Sequence, residues 1–155
     1  MTQDLARELT GISRAIRRQV GVLVDRRGAV THVMVGDAGG ITMPDWGRMR
    51  AGPGRLRGLR CVKTHLGHEG LSRDDVTDLV GLRLDAMATI EAREDGLPGD
   101  VHTAALLPAN DDGEAIQYLD PVPPSRLDLD FQDFVRALEE ELARTRRTRA
   151  VGASE

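Results

Sequence analysis

The segment from residue 63 to residue 75, KTHLGHEGLSRDD, carries the side chains best suited to chemistry. It holds His65 and His68, followed by Ser72 and Asp75. Imidazole nitrogens and carboxylate oxygens are common zinc ligands, and a zinc-bound water is an effective nucleophile near neutral pH. Ser72 and Asp75 also have the spacing of a capping box, which satisfies free backbone amides where a helix begins. The residue types are therefore compatible with a metal-dependent hydrolase and with an ordinary helix start.

A second stretch, RMRAGPGRLRGLR at residues 48–60, concentrates arginine among glycines and a proline. Guanidinium groups on such a segment suit phosphates, including those of ribosomal RNA, and the alternative is a solvated loop. Together with the strand end that follows, the stretch predicts a binding surface. Its residues are Arg48, Arg50, Arg55, Arg57, Arg60, Lys63, His65 and His68.

Hydrophobic periodicity predicts the elements that must position these residues. Apolar residues at helical spacing indicate an amphipathic helix up to residue 16, a second helix after Ser72 and a third over 127–142. Short β-branched or alternating runs predict the strands, and a short strand over 41–43 also fits the pattern. The strands are predicted at 20–24, 30–35, 56–65, 86–92, 102–107 and 116–119. We expect an α/β (α+β) fold with a mixed sheet of five or six strands flanked by three helices.

Length and composition predict one domain over residues 1–143 and a basic, disordered tail over 144–155. Cys61 is the single cysteine, so no intramolecular disulfide can form, which favours the reducing cytoplasm. The N-terminus has no apolar stretch of the length that a signal peptide or a membrane span requires. Because 3% of the residues are aromatic, few rings are available to stack on bases, which disfavours binding of single-stranded nucleic acid.

Residues 63–75 resemble the metal signature of the JAB/MPN (JAMM) family. In that family a histidine pair, a serine and an aspartate surround a zinc-bound water, and an upstream glutamate acts as acid and base. Here Lys63 stands in the place of the first histidine, and Arg18 aligns with the glutamate. A protonated lysine cannot ligate zinc, and the spacing from His65 to Asp75 is one residue short of the family pattern. The resemblance implies a degenerate JAB/MPN-like fold with an incomplete metal site.

Longer strings resemble the N-terminal extension region of HflX-type ribosome-associated GTPases, roughly from Leu9 to Arg149. The strings are ISRAIRRQVGVLVDRRG, VMVGDAG, RAGPGRLRGLRCVKTHL, LSRDDVTDLVGLRLDAM, DGLPGDVHTAALLP and LDLDFQDFVRALEEELAR. The resemblance implies association with a GTPase that binds the large ribosomal subunit. The 155 residues contain no P-loop string GxxxxGK[ST], and the glycines at 36–40 are interpreted as a turn. GTP hydrolysis is therefore not expected of this chain.

These observations favour a non-catalytic binding or regulatory module, without a cofactor, that acts with an HflX-type GTPase. It would contact that GTPase or the rRNA of the large ribosomal subunit through the predicted surface. One alternative is a JAMM-like zinc-dependent hydrolase of the isopeptidase type, with His65, His68 and Asp75 as zinc ligands and Ser72 assisting. Another alternative is a dimerisation module, in which case the chain forms a homo-oligomer.

Overall fold

The structure is a computed structural model, and it describes residues 1–43, 56–107 and 115–126. The third predicted helix, over 127–142, and the predicted tail, over 144–155, lie outside these residues. The predicted α+β class, with a mixed sheet of about six strands, is confirmed. In chain order the elements are α1 (Gln3–Ile16), β1 (Val20–Asp25), β2 (Val30–Val35), β3 (Leu59–His65), α2 (Arg73–Leu82), β4 (Ala86–Ala92), β5 (Pro98–Leu106), β6 (Ile116–Tyr118) and a 3-10 turn (Pro124–Arg126).

Some strand boundaries differ from the predictions. Residues 41–43 form no strand, and β3 begins at Leu59 rather than at residue 56. Pro98 and Gly99, which precede the strand predicted at 102–107, are the first residues of β5, and Pro98 pairs with Ala92. Proline is tolerated at the first residue of a strand because its missing N–H interrupts no continuing ladder there.

The sheet has the strand order β2-β1-β3-β4-β5-β6. Adjacent strands pair antiparallel, except that β3 and β4 are parallel. The helix α2 connects β3 to β4. A parallel pair requires such a crossover because the chain must return to the end of the sheet from which it started. In this register His65 stands opposite Glu91. The end of β3 and the segment that follows it therefore lie beside the end of β4.

The helix α1 covers one face of the sheet. Thr2 caps it by accepting a hydrogen bond from the Leu5 N–H, and Arg17 ends it in the left-handed conformation with φ of 52°. Burial of Ala6 and Leu9 against the sheet stabilises the helix more than intrinsic propensity does, whereas Ile12 and Ile16 of the same helix are exposed. Neither helix in the described ranges is long and apolar enough to cross a membrane. The core on this face contains Ala6, Leu9, Val20, Val22, Val24, Val62, Ala88, Ile90 and Val101.

The helix α2 covers the opposite face. Successive side chains of a strand point to opposite faces, so Val62 belongs to the α1 core whereas Cys61 belongs to the α2 core. Burial raises the pKa of the Cys61 thiol to about 12. Lys63 follows at the same parity as Cys61 and therefore also points toward α2. The core on this face contains Leu23, Met34, Ile41, Leu56, Leu59, Cys61, Leu79, Leu84, Met87 and Ala104.

Candidate functional site

A lysine lies buried in the middle of the sheet. Lys63 stands on β3 between Gly21 of β1 and Thr89 of β4, and it is only 3% exposed. Its ammonium nitrogen forms an ion pair with Oδ1 of Asp75 in the first turn of α2. An ion transferred from water into a protein interior is strongly unfavourable unless a partner compensates its charge. The position of Lys63 therefore depends on Asp75.

Asp75 has two roles at once. The capping box predicted from Ser72 and Asp75 is present: the Asp75 N–H donates to Ser72 Oγ over 3.1 Å, and the Ser72 N–H donates to Asp75 Oδ2 over 2.8 Å. The same Oδ2 lies 3.0 Å from His65 Nε2. Burial by itself raises the pKa of Asp75, but hydrogen bonds from His65 and Lys63 hold the net pKa well below its usual range. The helix cap thus also supplies the counter-ion of a buried lysine.

His65 connects this cluster to the surface. Its Nδ1 lies 3.2 Å from Oε1 of Glu69, whose side chain is exposed, while its Nε2 faces Asp75. Both ring nitrogens face carboxylates, which only accept hydrogen bonds when ionised, so the imidazolium satisfies both contacts. Burial alone lowers the pKa of His65, but the hydrogen bonds to Asp75 and Glu69 raise the net pKa above its ordinary value of 6.5. The geometry therefore favours a charged histidine between two acids.

We expect protein stability to decrease as pH rises from about 6.5. Because the pKa of His65 is raised in the folded state, its stabilising contribution is complete below the unfolded pKa and is lost as pH rises through the folded value. Asp75 affects stability at acidic pH. Because its pKa is lowered in the folded state, its stabilising contribution is present at neutral pH and is lost as pH falls below about 3.9. Urea unfolding at successive pH values measures how the free energy of unfolding changes with pH in both ranges.

The matched comparison is His65→Gln against His32→Gln, since His32 is an exposed residue of β2. The His65 variant should lose the slope above pH 6.5, whatever its stability at a single pH, and the His32 variant should keep it. An unchanged slope in the His65 variant would assign the titration to another group.

The loop after β2 covers the cluster. A Cβ added at Gly21 would lie 3.0 Å from the Lys63 Cβ and 3.1 Å from Ile41 Cδ1. Gly21 is therefore the point at which β1, the lysine stem and the loop approach closely, and a larger residue does not fit without a shift. Ile41 is 7% exposed and packs in the α2 core. The loop at 36–41 thus separates Lys63 from solvent on this side.

The donors of the alternative zinc site do not converge. His65 and Asp75 bond to each other, and His68 is exposed with its Nδ1 2.5 Å from Oε1 of Glu91. A zinc ligand must direct a lone pair at the metal, whereas both nitrogens of His65 already face acids. Within the described ranges no three His, Cys, Asp or Glu side chains form a group that could hold a metal ion. As arranged, this donor set does not fit zinc.

No family model matches this chain. No curated protein matches it either. Among solved structures, the solution structure of a protein from Salinibacter ruber is similar, with 17% sequence identity over 79% of this chain and 90% of that chain and a TM-score of 0.36. A similarity this weak supports no conclusion about fold or function.

The structure divides the predicted binding surface. Arg57 and His68 are exposed, whereas Arg60, Lys63 and His65 are buried, with exposed fractions of 5%, 3% and 4%. The cause is the position of β3, which lies inside the sheet and is covered on both faces. A buried side chain offers no contact area to a macromolecule, so these three residues are removed from the predicted surface. The remaining residues of that surface, Arg48, Arg50 and Arg55, lie outside the described residues.

Several residues that position the site were not identified from the sequence. Arg14 of α1 joins the ends of β3 and β4: its Nε donates to the carbonyl of Ala92 over 2.7 Å, and its Nη2 donates to that of Leu66 over 2.9 Å. Nothing in the sequence distinguishes Arg14 from Arg7, the other arginine of this helix. Glu69 was identifiable in principle, because it follows His65 by four residues in a segment that must turn.

The opposite end of the sheet, called the basic end, carries exposed arginines beside Asp25 and Asp85. β1 ends and β3 begins side by side there, since Asp25 pairs with Leu59. Arg26 in the β1–β2 turn forms a bidentate ion pair with Asp85, with distances of 2.9 and 3.2 Å. Arg57, which precedes β3, is exposed at this end. The basic end is thus far along β3 from the buried lysine and is formed by different residues.

Proposed function

We propose that this chain is a cytoplasmic, non-catalytic binding module that acts with an HflX-type ribosome-associated GTPase. The observation that carries the non-catalytic part is the closed cluster of Lys63, Asp75 and His65. The lysine ammonium neutralises the carboxylate that a metal would need, and all three side chains are buried. General acid–base or metal chemistry requires groups that a substrate can reach. The cluster is better explained as a polar element of the core.

The basic end supports the binding part of the proposal. Arg57 is exposed there, and Arg48, Arg50 and Arg55 precede it in the sequence. Guanidinium groups bind phosphate oxygens strongly, often through two hydrogen bonds. A phosphate-rich partner such as the rRNA of the large ribosomal subunit fits this charge. The resemblance to the extension region of HflX-type GTPases motivates the choice of the ribosome over other phosphate-bearing partners.

Co-sedimentation with purified large ribosomal subunits across a salt series tests the proposal. We expect binding that weakens as salt rises, because bound counter-ions are released from the phosphates. The variant R55A/R57A should bind more weakly and should show a salt slope smaller by about two, one for each lost phosphate contact. The variant R7A/R126A removes the same charge from two exposed arginines elsewhere and should bind like the unaltered chain.

Three results would contradict the proposal. Absence of binding at low salt would remove the large subunit as a direct partner. Equal weakening in both double variants would show that net charge, not the basic end, is responsible. One tightly bound zinc per purified chain would contradict the non-catalytic assignment and would favour the JAMM-like hydrolase.

A further inference from the structure

The strand β2 presents an unusual edge. It is the last strand on its side of the sheet, and no described strand pairs with its outer edge, which makes this edge a template for pairing with another chain. Natural proteins protect such edges with short strands, prolines or charged side chains. The six residues Val30–Val35, VTHVMV, contain no proline, lysine, arginine, aspartate or glutamate. A bulge with β1 lies at the Val30 end, so residues 32–35 are the regular part of this edge.

The α1 side of this strand is apolar and exposed. Val33 and Val35 pair with Val22 and Val20 of β1 and therefore share their face. The β1 valines are buried in the α1 core, whereas Val33 is 71% and Val35 is 53% exposed. The reason is that α1 packs on β1, β3, β4 and β5 but does not reach β2. An exposed apolar stripe along an open edge is typical of an interaction surface.

The flank of α1 extends this apolar surface. Thr10 and Arg14 bond to Gly96 and Ala92, which places that flank of the helix over the β4–β5 side. Residues 12 and 16 lie about 200° around the helix from residues 10 and 14, so they face the β1–β2 side. Ile12 is 45% and Ile16 is 44% exposed. The exposed helix flank and the exposed valines of β2 thus lie on the same face of the sheet, toward the same side.

We propose that the outer edge of β2 pairs antiparallel with β2 of a second copy of this chain, which joins the two sheets across a two-fold axis. An isologous contact uses the same surface twice and must not place like charges opposite each other. The strand, which has no lysine, arginine, aspartate or glutamate, meets that condition.

The ends of the strand favour the antiparallel arrangement. Arg27 precedes β2 and Asp37 follows it, and both are exposed. Antiparallel pairing places the Arg27 end of one strand beside the Asp37 end of the other, at both ends of the contact. A parallel arrangement would instead bring like charges together, which electrostatic complementarity disfavours.

This proposal is independent of ribosome binding, because it concerns the isolated protein. Sedimentation velocity of the full chain over a wide concentration range should show a monomer–dimer equilibrium. In the variant Val33→Glu two carboxylates would face each other near the axis, and we expect the dissociation constant of the dimer to rise about tenfold or more. The matched control is Leu97→Glu, since Leu97 is also an exposed apolar residue (49%) but lies in the β4–β5 turn. Its dimer should be as strong as that of the unaltered chain.

Disulfide cross-linking identifies the contact directly. The variants Val33→Cys and Val35→Cys, alone and mixed, should yield covalent dimers on oxidation, because facing residues of paired strands have Cβ atoms about 5 Å apart. Cys61 is buried, so the introduced thiol is the reactive one. A monomer at every concentration, or a dimer that neither the Glu variant nor the Cys variants affect, would overturn the proposal. A monomer in which the β2 amides are protected from hydrogen exchange would also overturn it and would assign this surface to a segment of the same chain.

Discussion

Replacing Asp75 with alanine is expected to lower the free energy of unfolding by about 3–5 kcal/mol, because the change leaves a buried charge without its partner. Asp75 is fully buried and faces Lys63 and His65, which are almost as deeply buried. Its removal also takes the acceptor from the Ser72 N–H at the start of α2. Urea denaturation measures the change, and a constant m-value would show that the unfolded state is unaffected.

The adjacent residue provides the control for this prediction. Asp74 lies in the same first turn of α2 but is exposed, so Asp74→Ala should cost no more than about 1 kcal/mol through the helix dipole. Adding Lys63→Met to Asp75→Ala removes the orphaned charge and should recover part of the lost stability. A loss below about 1 kcal/mol in Asp75→Ala, or no recovery in the double variant, would mean that the buried pair does not support the fold as described.

Replacing Gly36 with alanine is expected to destabilise the protein by about 3 kcal/mol, because an added methyl group would overlap backbone that cannot move independently. A Cβ at this position would collide with the carbonyl oxygen of Gly40 and would lie 2.8 Å from the Cα of Ile41. The loop is held closed by the Asp37 side chain, whose Oδ1 accepts from the N–H groups of Gly39 and Gly40 at 2.8 and 2.9 Å. Opening this loop would displace Ile41 from above the buried lysine.

The control lies in the same loop. A Cβ at Gly39 would meet only Asp37 Oδ1 at 3.5 Å, so Gly39→Ala should change the free energy of unfolding by less than about 1 kcal/mol. Thermal and urea unfolding of the two variants measure the difference. Similar losses in both would show that loop flexibility, not the contact at Gly36, limits stability.

The two predictions concern one structural idea. A helix cap, a strand lysine and a glycine loop meet around one buried cluster, in which Asp75 compensates the charge of Lys63. If both variants behave as expected, the chemistry-bearing segment at 63–75 contributes to the stability of the core. Binding would then depend on the exposed ends and edges of the sheet, where Arg57 and Val33 lie.

Much of the local structure was predictable from the sequence. The helix α1 was predictable because helical periodicity repeats every few residues, although Ile12 and Ile16 of its apolar spacing are exposed. The capping box was predictable because Ser72 and Asp75 are three residues apart. The β1–β2 hairpin was predictable from two β-branched runs around a glycine turn. These signals arise from hydrogen bonds and side-chain directions between near neighbours, so a short window of sequence contains all the information.

The burial of the site was decided only by the tertiary structure. The same residues, Lys63 and His65, suit an exposed basic strand as well as a central one, and alternation alone cannot distinguish the two. The order β2-β1-β3-β4-β5-β6 places β3 between two strands and two helical layers, and the crossover through α2 brings Asp75 onto Lys63. Solvent exposure and pKa depend on groups that are distant in sequence. The sequence alone therefore determined which residues could form an ion cluster, and the packing of the sheet decided that the cluster is buried rather than on a binding surface.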